Sequence, residues 1–151
     1  MDKTDIKLLG LLAEDAGATA TSLVSKLNLS VPAINKRIAK LKADGVIRKT
    51  VVLTDPEKVG QTVTVCILLA LENFNQSEEF FQIIQNDPEI MECYAISGEY
   101  DYWVKVCTSS VFELEEKLLV MKQHGVAKSN TLFALREYKC SATVLPRQAK
   151  E

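Results

Sequence analysis

Residues 20–39, ATSLVSKLNLSVPAINKRIA, constrain the fold most, because they encode two short helices joined by a tight polar turn. Asn28 lies at this turn and tolerates left-handed backbone dihedrals better than most residues do. Ser30 begins the second helix, where its side-chain oxygen can accept hydrogen bonds from the first-turn amides. Pro32 lies within that turn, where a missing N–H costs nothing. The pattern predicts a helix-turn-helix motif over residues 20–39.

The second helix of this motif has one apolar and one cationic face. Val31, Ile34, Ile38 and Leu41 recur at helical spacing and form a stripe that we expect to be buried. The residues between them face outward, where cations suit a polyanion such as double-stranded DNA. The N-terminal turn of a recognition helix points into the major groove. We predict phosphate or base contacts from Lys36, Arg37 and Lys40, and positions near base edges for Ser30, Pro32, Ala33 and Asn35.

Charge is distributed unevenly along the chain. Residues 1–60 carry ten Lys and Arg against seven Asp and Glu, a net charge of +3, whereas residues 61–151 carry eight against thirteen, a net charge of −5. An ordinary amphipathic helix pair with a solvated basic face would give the same helical pattern. The basic N-terminal third within a mildly acidic chain favours DNA contact by that third.

Composition narrows the functional class. Apolar residues make up 47% of the chain and charged residues 25%, as in soluble globular proteins. No long apolar run or secretory signal is present, so the sequence predicts no membrane segment and favours a cytoplasmic location. The four cysteines are dispersed without a Cys-x-x-Cys pair, which indicates neither a zinc site nor a disulfide framework. Without a phosphate-binding loop or a nucleophile and base pair, we predict no enzyme, metal or cofactor.

The chain divides into two parts at a turn-forming segment. A first helix is expected over residues 2–14, and the β-rich run over residues 46–53 predicts a wing strand after the helix-turn-helix. Residues 54–60 contain Asp-Pro, which breaks a strand and marks a boundary. We therefore predict a DNA-binding domain over residues 1–60 and a second domain over residues 61–151.

The sequence of the second domain predicts strands and helices in the order βαββαβ. Strands are expected over residues 63–71, 90–96, 102–107 and 130–138, with a possible continuation to Val144, and helices over residues 77–86 and 111–122. This order predicts an α+β, ferredoxin-like domain, in which an antiparallel sheet carries both helices on one face. The other face needs cover if it is apolar, and a second copy of the chain would supply that cover. We therefore predict a homodimer and allow higher even-numbered assemblies.

Four segments spread over nearly the whole chain carry a family resemblance. They are Asp2-x-x-Asp5-x-Lys7-Leu8-Leu9-x-x-Leu12, Leu29-Ser30 with Lys36-Arg37-Ile38-x-x-Leu41-x-x-x-Gly45-Val46-Ile47, Asp55-Pro56-Glu57-Lys58-Val59-Gly60 and Ser97-Gly98-Glu99-Tyr100-Asp101-Tyr102. In order and spacing they resemble the leucine-responsive and asparagine-activator (Lrp/AsnC) family of transcriptional regulators. The chain departs from the family pattern at Lys49-Thr50, where Gly-Tyr is common, and at Asn28, which replaces a turn Gly.

The resemblance implies a transcriptional regulator that acts as a dimer, or as an octamer of four dimers, and responds to an amino acid. Residues 97–101 are the candidate effector site. Gly98 permits a sharp turn with accessible backbone N–H groups, Glu99 or Asp101 could pair with an α-ammonium group, and Tyr100 could line the pocket. A plain β-hairpin would need the same residue types. The resemblance favours an effector cleft between subunits and adds Thr131; the predicted effector residues are Ser97, Gly98, Glu99, Tyr100, Asp101 and Thr131.

Two other functions stay open at this point. The second domain could be an enzyme or a metabolite-binding module, with the N-terminal helices serving only oligomerisation, because ferredoxin-like folds host many functions. Alternatively, the protein could bind DNA as an architectural wrapper without an effector. Gel shifts with and without amino acids separate these cases. An enzyme or metabolite-binding module would not shift the DNA, and an architectural DNA-binding protein would give a shift that amino acids do not change.

Overall fold

The computed structural model describes residues 1–73 and 77–146. Packing divides the chain into two compact units, one of Met1–Leu53 with the described residues from Lys139 onward, and one of Thr54–Tyr138. Each unit has its own apolar core. Within the described ranges, no helix has the length and apolar character needed to cross a bilayer. The division at residues 60 and 61 stays a prediction.

The first unit contains three helices, α1 (Lys3–Glu14), α2 (Ala20–Leu27) and α3 (Val31–Ala43). The helix-turn-helix is confirmed, and Asn28 between α2 and α3 has φ 53° and ψ 44°, the left-handed conformation that its side chain tolerates. The side chains of Ile34 and Leu41 hold α3 against the other two helices. The buried core of the unit consists of Leu8, Leu23, Leu27, Ile34 and Leu41.

Two local expectations in this unit are wrong. Ser30 precedes α3 with extended dihedrals and its carbonyl accepts from Ile34 N at 3.0 Å, but its side chain makes no capping hydrogen bond. Residues 46–53 form no strand. Their composition favours a strand, but no segment of the described chain pairs with them, and a strand requires a hydrogen-bonded partner.

The second unit follows the βαββαβ order that the sequence predicted. The described elements are β1 (Val63–Leu71), α4 (Ser77–Asn86), β2 (Ile90–Ala95), β3 (Tyr102–Thr108), α5 (Val111–Gln123) and β4 (Val126–Phe133). All pairings are antiparallel, and the strands lie in the order β2-β3-β1-β4, as in a ferredoxin-like sheet. A short 3-10 turn over Glu57–Val59 precedes β1.

The last strand is displaced relative to the expectation. β4 covers Val126–Phe133 instead of residues 130–138, and no strand continues to Val144. Its register with β1 runs from Val126 opposite Leu71 to Phe133 opposite Val65. Because β1 begins at Val63, residues beyond Phe133 soon lack a pairing partner, and the strand ends there.

In the described part of this unit, the helices pack against one face of the sheet and not against the other. Val65, Ile67 and Leu69 alternate along β1 and are fully buried with Phe80 of α4. The residues between them point to the opposite face, where Leu68 pairs with Trp103 and Trp103 pairs with Tyr94. We call the row of Leu68, Trp103 and Tyr94 the open face. The ring centroids of Tyr94 and Trp103 lie 5.7 Å apart.

Candidate DNA-binding and effector sites

The outer side of α3 offers a cationic ridge. Pro32, Lys36 and Lys40 follow one another at i, i+4 spacing and are all exposed, and Lys40 lies in the last turns of the helix. Pro32 occupies the first turn, as expected from its missing N–H. Ile34 and Leu41 lie in the core on the opposite side, so this ridge is the exposed side of α3 within its unit.

The other predicted DNA-binding residues differ in accessibility. Ser30 and Asn35 are exposed, whereas Ala33 and Arg37 are partly buried. The structure therefore brings Ser30, Pro32, Asn35, Lys36 and Lys40 to the accessible surface of the motif. It turns Arg37 toward α1.

Arg37 is held by two carboxylates at the start of α1. Its Nη1 donates to Asp2 Oδ2 at 2.7 Å and to Asp5 Oδ1 at 2.6 Å. The pKa of each carboxyl lies below its usual value, chiefly because a backbone N–H donates to it and next because the guanidinium does. The same pairs raise the pKa of Arg37. This arginine therefore has partners within its own chain.

The predicted effector segment forms the connection between β2 and β3. Gly98 has φ +124°, a conformation that favours glycine. Ile96 N donates to Asp101 O at 2.9 Å and closes the loop. The Asp101 carboxylate accepts from Leu71 N at 2.9 Å, while Asp101 N donates to Leu69 O at 2.9 Å. Asp101 thus anchors the hairpin to the end of β1, which leaves Glu99 as the more accessible acid of the segment.

Lys128 of β4 joins this hairpin and was missed by the sequence analysis. Its ammonium forms an ion pair with Glu99 and lies 4.9 Å from the centroid of the Tyr100 ring. The hydrogen bond from Lys128 lowers the pKa of Glu99, and Glu99 raises the pKa of Lys128. An ammonium, a carboxylate and an aromatic ring therefore lie together, and both charged side chains are solvent-accessible.

Thr131 is not brought to this group within one chain. It lies opposite Ile67 in the β1 and β4 register, and Ile67 faces the helices. Lys128 is three residues earlier and points to the other side of the sheet, about 10 Å away along the strand. Ser97 is exposed beside Gly98, at the outer end of the hairpin.

A helix-turn-helix unit followed by a ferredoxin-like unit defines the class of two-domain transcriptional regulators. A family model described as winged helix-turn-helix DNA-binding matches residues 1–48. A second, described as the Lrp/AsnC ligand binding domain, matches residues 62–144. The chain belongs to the Lrp/AsnC family.

Several regulators are similar over almost their whole length. The glutamate uptake regulatory protein of Zymomonas mobilis is 39% identical over 150 residues, covering 97% of this chain and 90% of that protein. A transcriptional regulator of Neisseria meningitidis, solved as a complex with L-Met, superimposes with a TM-score of 0.90 at 27% identity, covering 95% and 96% of the two chains. An AsnC family regulator from Agrobacterium tumefaciens has a TM-score of 0.87 at 29% identity, covering 95% and 96%. This chain is accordingly a DNA-binding transcriptional regulator of the Lrp/AsnC type.

Proposed function

We propose that the protein binds DNA as a homodimer, with the two α3 helices in successive major grooves, and that an amino acid at the 97–101 hairpin modulates this binding. The exposed ridge of Pro32, Lys36 and Lys40 on a helix otherwise fixed in the core carries the proposal. Two-fold symmetry then sets half-sites roughly 10 base pairs apart, or a multiple of that. Assembly of four dimers into an octamer and a cytoplasmic location stay predictions.

The proposed DNA contacts divide by chemistry. Lys36 and Lys40 neutralise phosphates, while Ser30, Pro32 and Asn35 lie near base edges at the start of α3. Ala33 is half-buried beside them and can offer only its methyl group. Arg37 is left out of the direct contacts, because its guanidinium already serves Asp2 and Asp5.

Lys40→Ala is expected to weaken DNA binding on every sequence and to reduce the slope of log affinity against log salt by about one. The reason is that a phosphate-neutralising cation releases about one counterion when it binds. Fluorescence anisotropy with a labelled promoter fragment over a salt series measures both quantities. Lys122→Ala, which removes an exposed lysine from α5, is the matched control. An unchanged affinity and slope for Lys40→Ala would mean that α3 presents a different face.

The hairpin has the chemistry to hold a zwitterion. An α-ammonium group can pair with Glu99, an α-carboxylate can pair with Lys128 or a backbone N–H near Gly98, and the Tyr100 ring can contact the ligand side chain. Because both members of the Glu99 and Lys128 ion pair are solvent-accessible, a ligand can enter between them without opening the core. The Lrp/AsnC ligand-binding match and the L-Met complex of the Neisseria regulator support an amino acid as the ligand class.

Titration calorimetry with a panel of amino acids that includes L-Met and L-Glu tests this site. We expect one or more to bind, and we expect Glu99→Gln to weaken that binding about tenfold, because it removes the charged partner of the ammonium. The N-acetyl form of the same amino acid lacks the ammonium and should bind both proteins equally weakly. Glu116→Gln, an exposed glutamate on α5, is the control. Absence of binding at millimolar concentration would remove the effector site from the proposal.

The homodimer is proposed on the apolar character of the open face. Leu68 and Trp103 are only partly covered within one chain, and Tyr94 is 56% exposed. A second copy of the same face would bury this row and place two first units on one duplex.

A further inference from the structure

The start of α1 and the middle of α3 share one closed hydrogen-bond ring. Asp2 Oδ1 accepts from Asp5 N at 2.8 Å, and Asp5 Oδ2 accepts from Asp2 N at 3.0 Å, which is a reciprocal capping box. The second oxygen of each carboxylate accepts from Arg37 Nη1. Each acid therefore uses one oxygen for the cap of α1 and the other for α3.

The ring is partly buried. The side chain of Asp5 is 10% exposed and that of Arg37 is 30% exposed, whereas Asp2 lies at the rim with 54% exposed. The cap already orients both carboxylates, so the single nitrogen Nη1, which carries two hydrogens, can donate to both of them. Lys36 and Lys40, on the same helix, have no such tie to α1 among the contacts of the described residues.

The ring controls the rotation of α3 about its own axis. Ile34 and Leu41 fix the helix on its core side, and Arg37 fixes its flank against α1. A rotation of α3 would carry the Lys36 and Lys40 ridge away from the phosphates that it faces. Two carboxylates also outnumber the single guanidinium, so the net charge of the three side chains is negative, which disfavours a phosphate contact by Arg37.

We propose that Arg37 is a positioning residue for DNA binding, which clamps α3 onto the capping box of α1 and makes no contact with a phosphate. The inference rests on the proposed docking of α3 in the major groove. Asp2 and Asp5 then support DNA binding indirectly, through Arg37, although their negative charge disfavours direct contact with phosphates.

The test compares Arg37→Gln with Lys36→Gln in the full chain. Both lose one positive charge from α3, so they are matched in charge and in the residue introduced. For Arg37→Gln we expect a loss of about tenfold or more in affinity with an unchanged salt slope, and for Lys36→Gln a slope reduced by about one. Arg37→Lys keeps the charge and one nitrogen that can donate to both carboxylates, but on a side chain of different length and shape, and should recover part of the affinity. A slope reduced by about one in Arg37→Gln would overturn the proposal.

Asp5→Asn tests the same proposal by removing a negative charge, whereas Arg37→Gln and Lys36→Gln each remove a positive charge. It removes a negative charge from the DNA-binding unit, so electrostatics alone would tighten DNA binding. If Arg37 positions α3, loss of its contact with Asp5 should weaken DNA binding. The affinity is measured at a temperature at which circular dichroism shows the variant fully folded. Tighter or unchanged binding would overturn the positioning role. If Lys36→Gln also left the slope unchanged, the proposed docking of α3 itself would fail, so the two failures are distinguishable.

Discussion

Leu68→Arg is expected to convert the proposed homodimer into a monomer and to lower the affinity for a two-half-site DNA fragment by about two to four orders of magnitude. Leu68 belongs to the open face and lies opposite Trp103 in β3. Burying an unpaired guanidinium against the apolar side chains of the open face is strongly unfavourable, and the monomer avoids it by exposing the arginine to water. In the proposed dimer two α3 helices contact one duplex, so the monomer is expected to lose the second contact as well.

Light scattering coupled to gel filtration measures the mass, and anisotropy with one-half-site and two-half-site fragments measures the affinity. Leu119→Arg is the matched control, since Leu119 is 51% exposed on α5, on the helix side of the sheet. The one-half-site affinity should be almost the same for Leu68→Arg, Leu119→Arg and the unmodified protein. A Leu68→Arg protein that stays dimeric would show that the open face is not the subunit interface.

Local sequence patterns were sufficient to predict the helix-turn-helix motif, but they did not predict the contact of Arg37 with Asp2 and Asp5. The helical spacing of Ile34 and Leu41 predicted the buried side of α3, and the left-handed tolerance of Asn28 predicted the turn. The partners of Arg37 lie 35 and 32 residues away, at Asp2 and Asp5. A contact at that distance in sequence leaves no periodicity, so the arginine could be placed on α3 but not assigned to its carboxylates.

In the effector hairpin, too, one contact could not be predicted from the local sequence. Gly98 and the flanking strands predicted the turn, and the resemblance supplied its neighbours. Lys128 was missed because the predicted last strand begins at Asn130, two residues after this lysine. Only the antiparallel register, which places Lys128 opposite Ala70, brings its ammonium to Glu99. Composition likewise predicted a strand over residues 46–53, but strand formation depends on a partner that composition does not report.

Phe80→Ala is expected to destabilise the second unit by about 3–5 kcal/mol, because it removes a large buried ring and leaves a cavity. Phe80 is fully buried, and its ring centroid lies 5.3 Å from that of Tyr102 and 5.6 Å from that of Phe81. It closes the contact between α4 and the helix-covered face of the sheet. Since small domains are stable by only about 5–15 kcal/mol, this loss is a large share of the total.

Urea denaturation followed by the fluorescence of Trp103, which lies in the second unit, measures the effect without interference from the first. Phe112→Ala makes the same truncation at a ring that is 68% exposed and should change the free energy of unfolding by only about 0.5 kcal/mol. The first unit has its own core around Leu8 and Ile34, so α3 should stay folded in Phe80→Ala when the sheet has unfolded. DNA binding should then fall to the one-half-site level, because the unfolded sheet no longer presents the open face. Equal stability losses for the two truncations would contradict the assignment of Phe80 to the centre of this core.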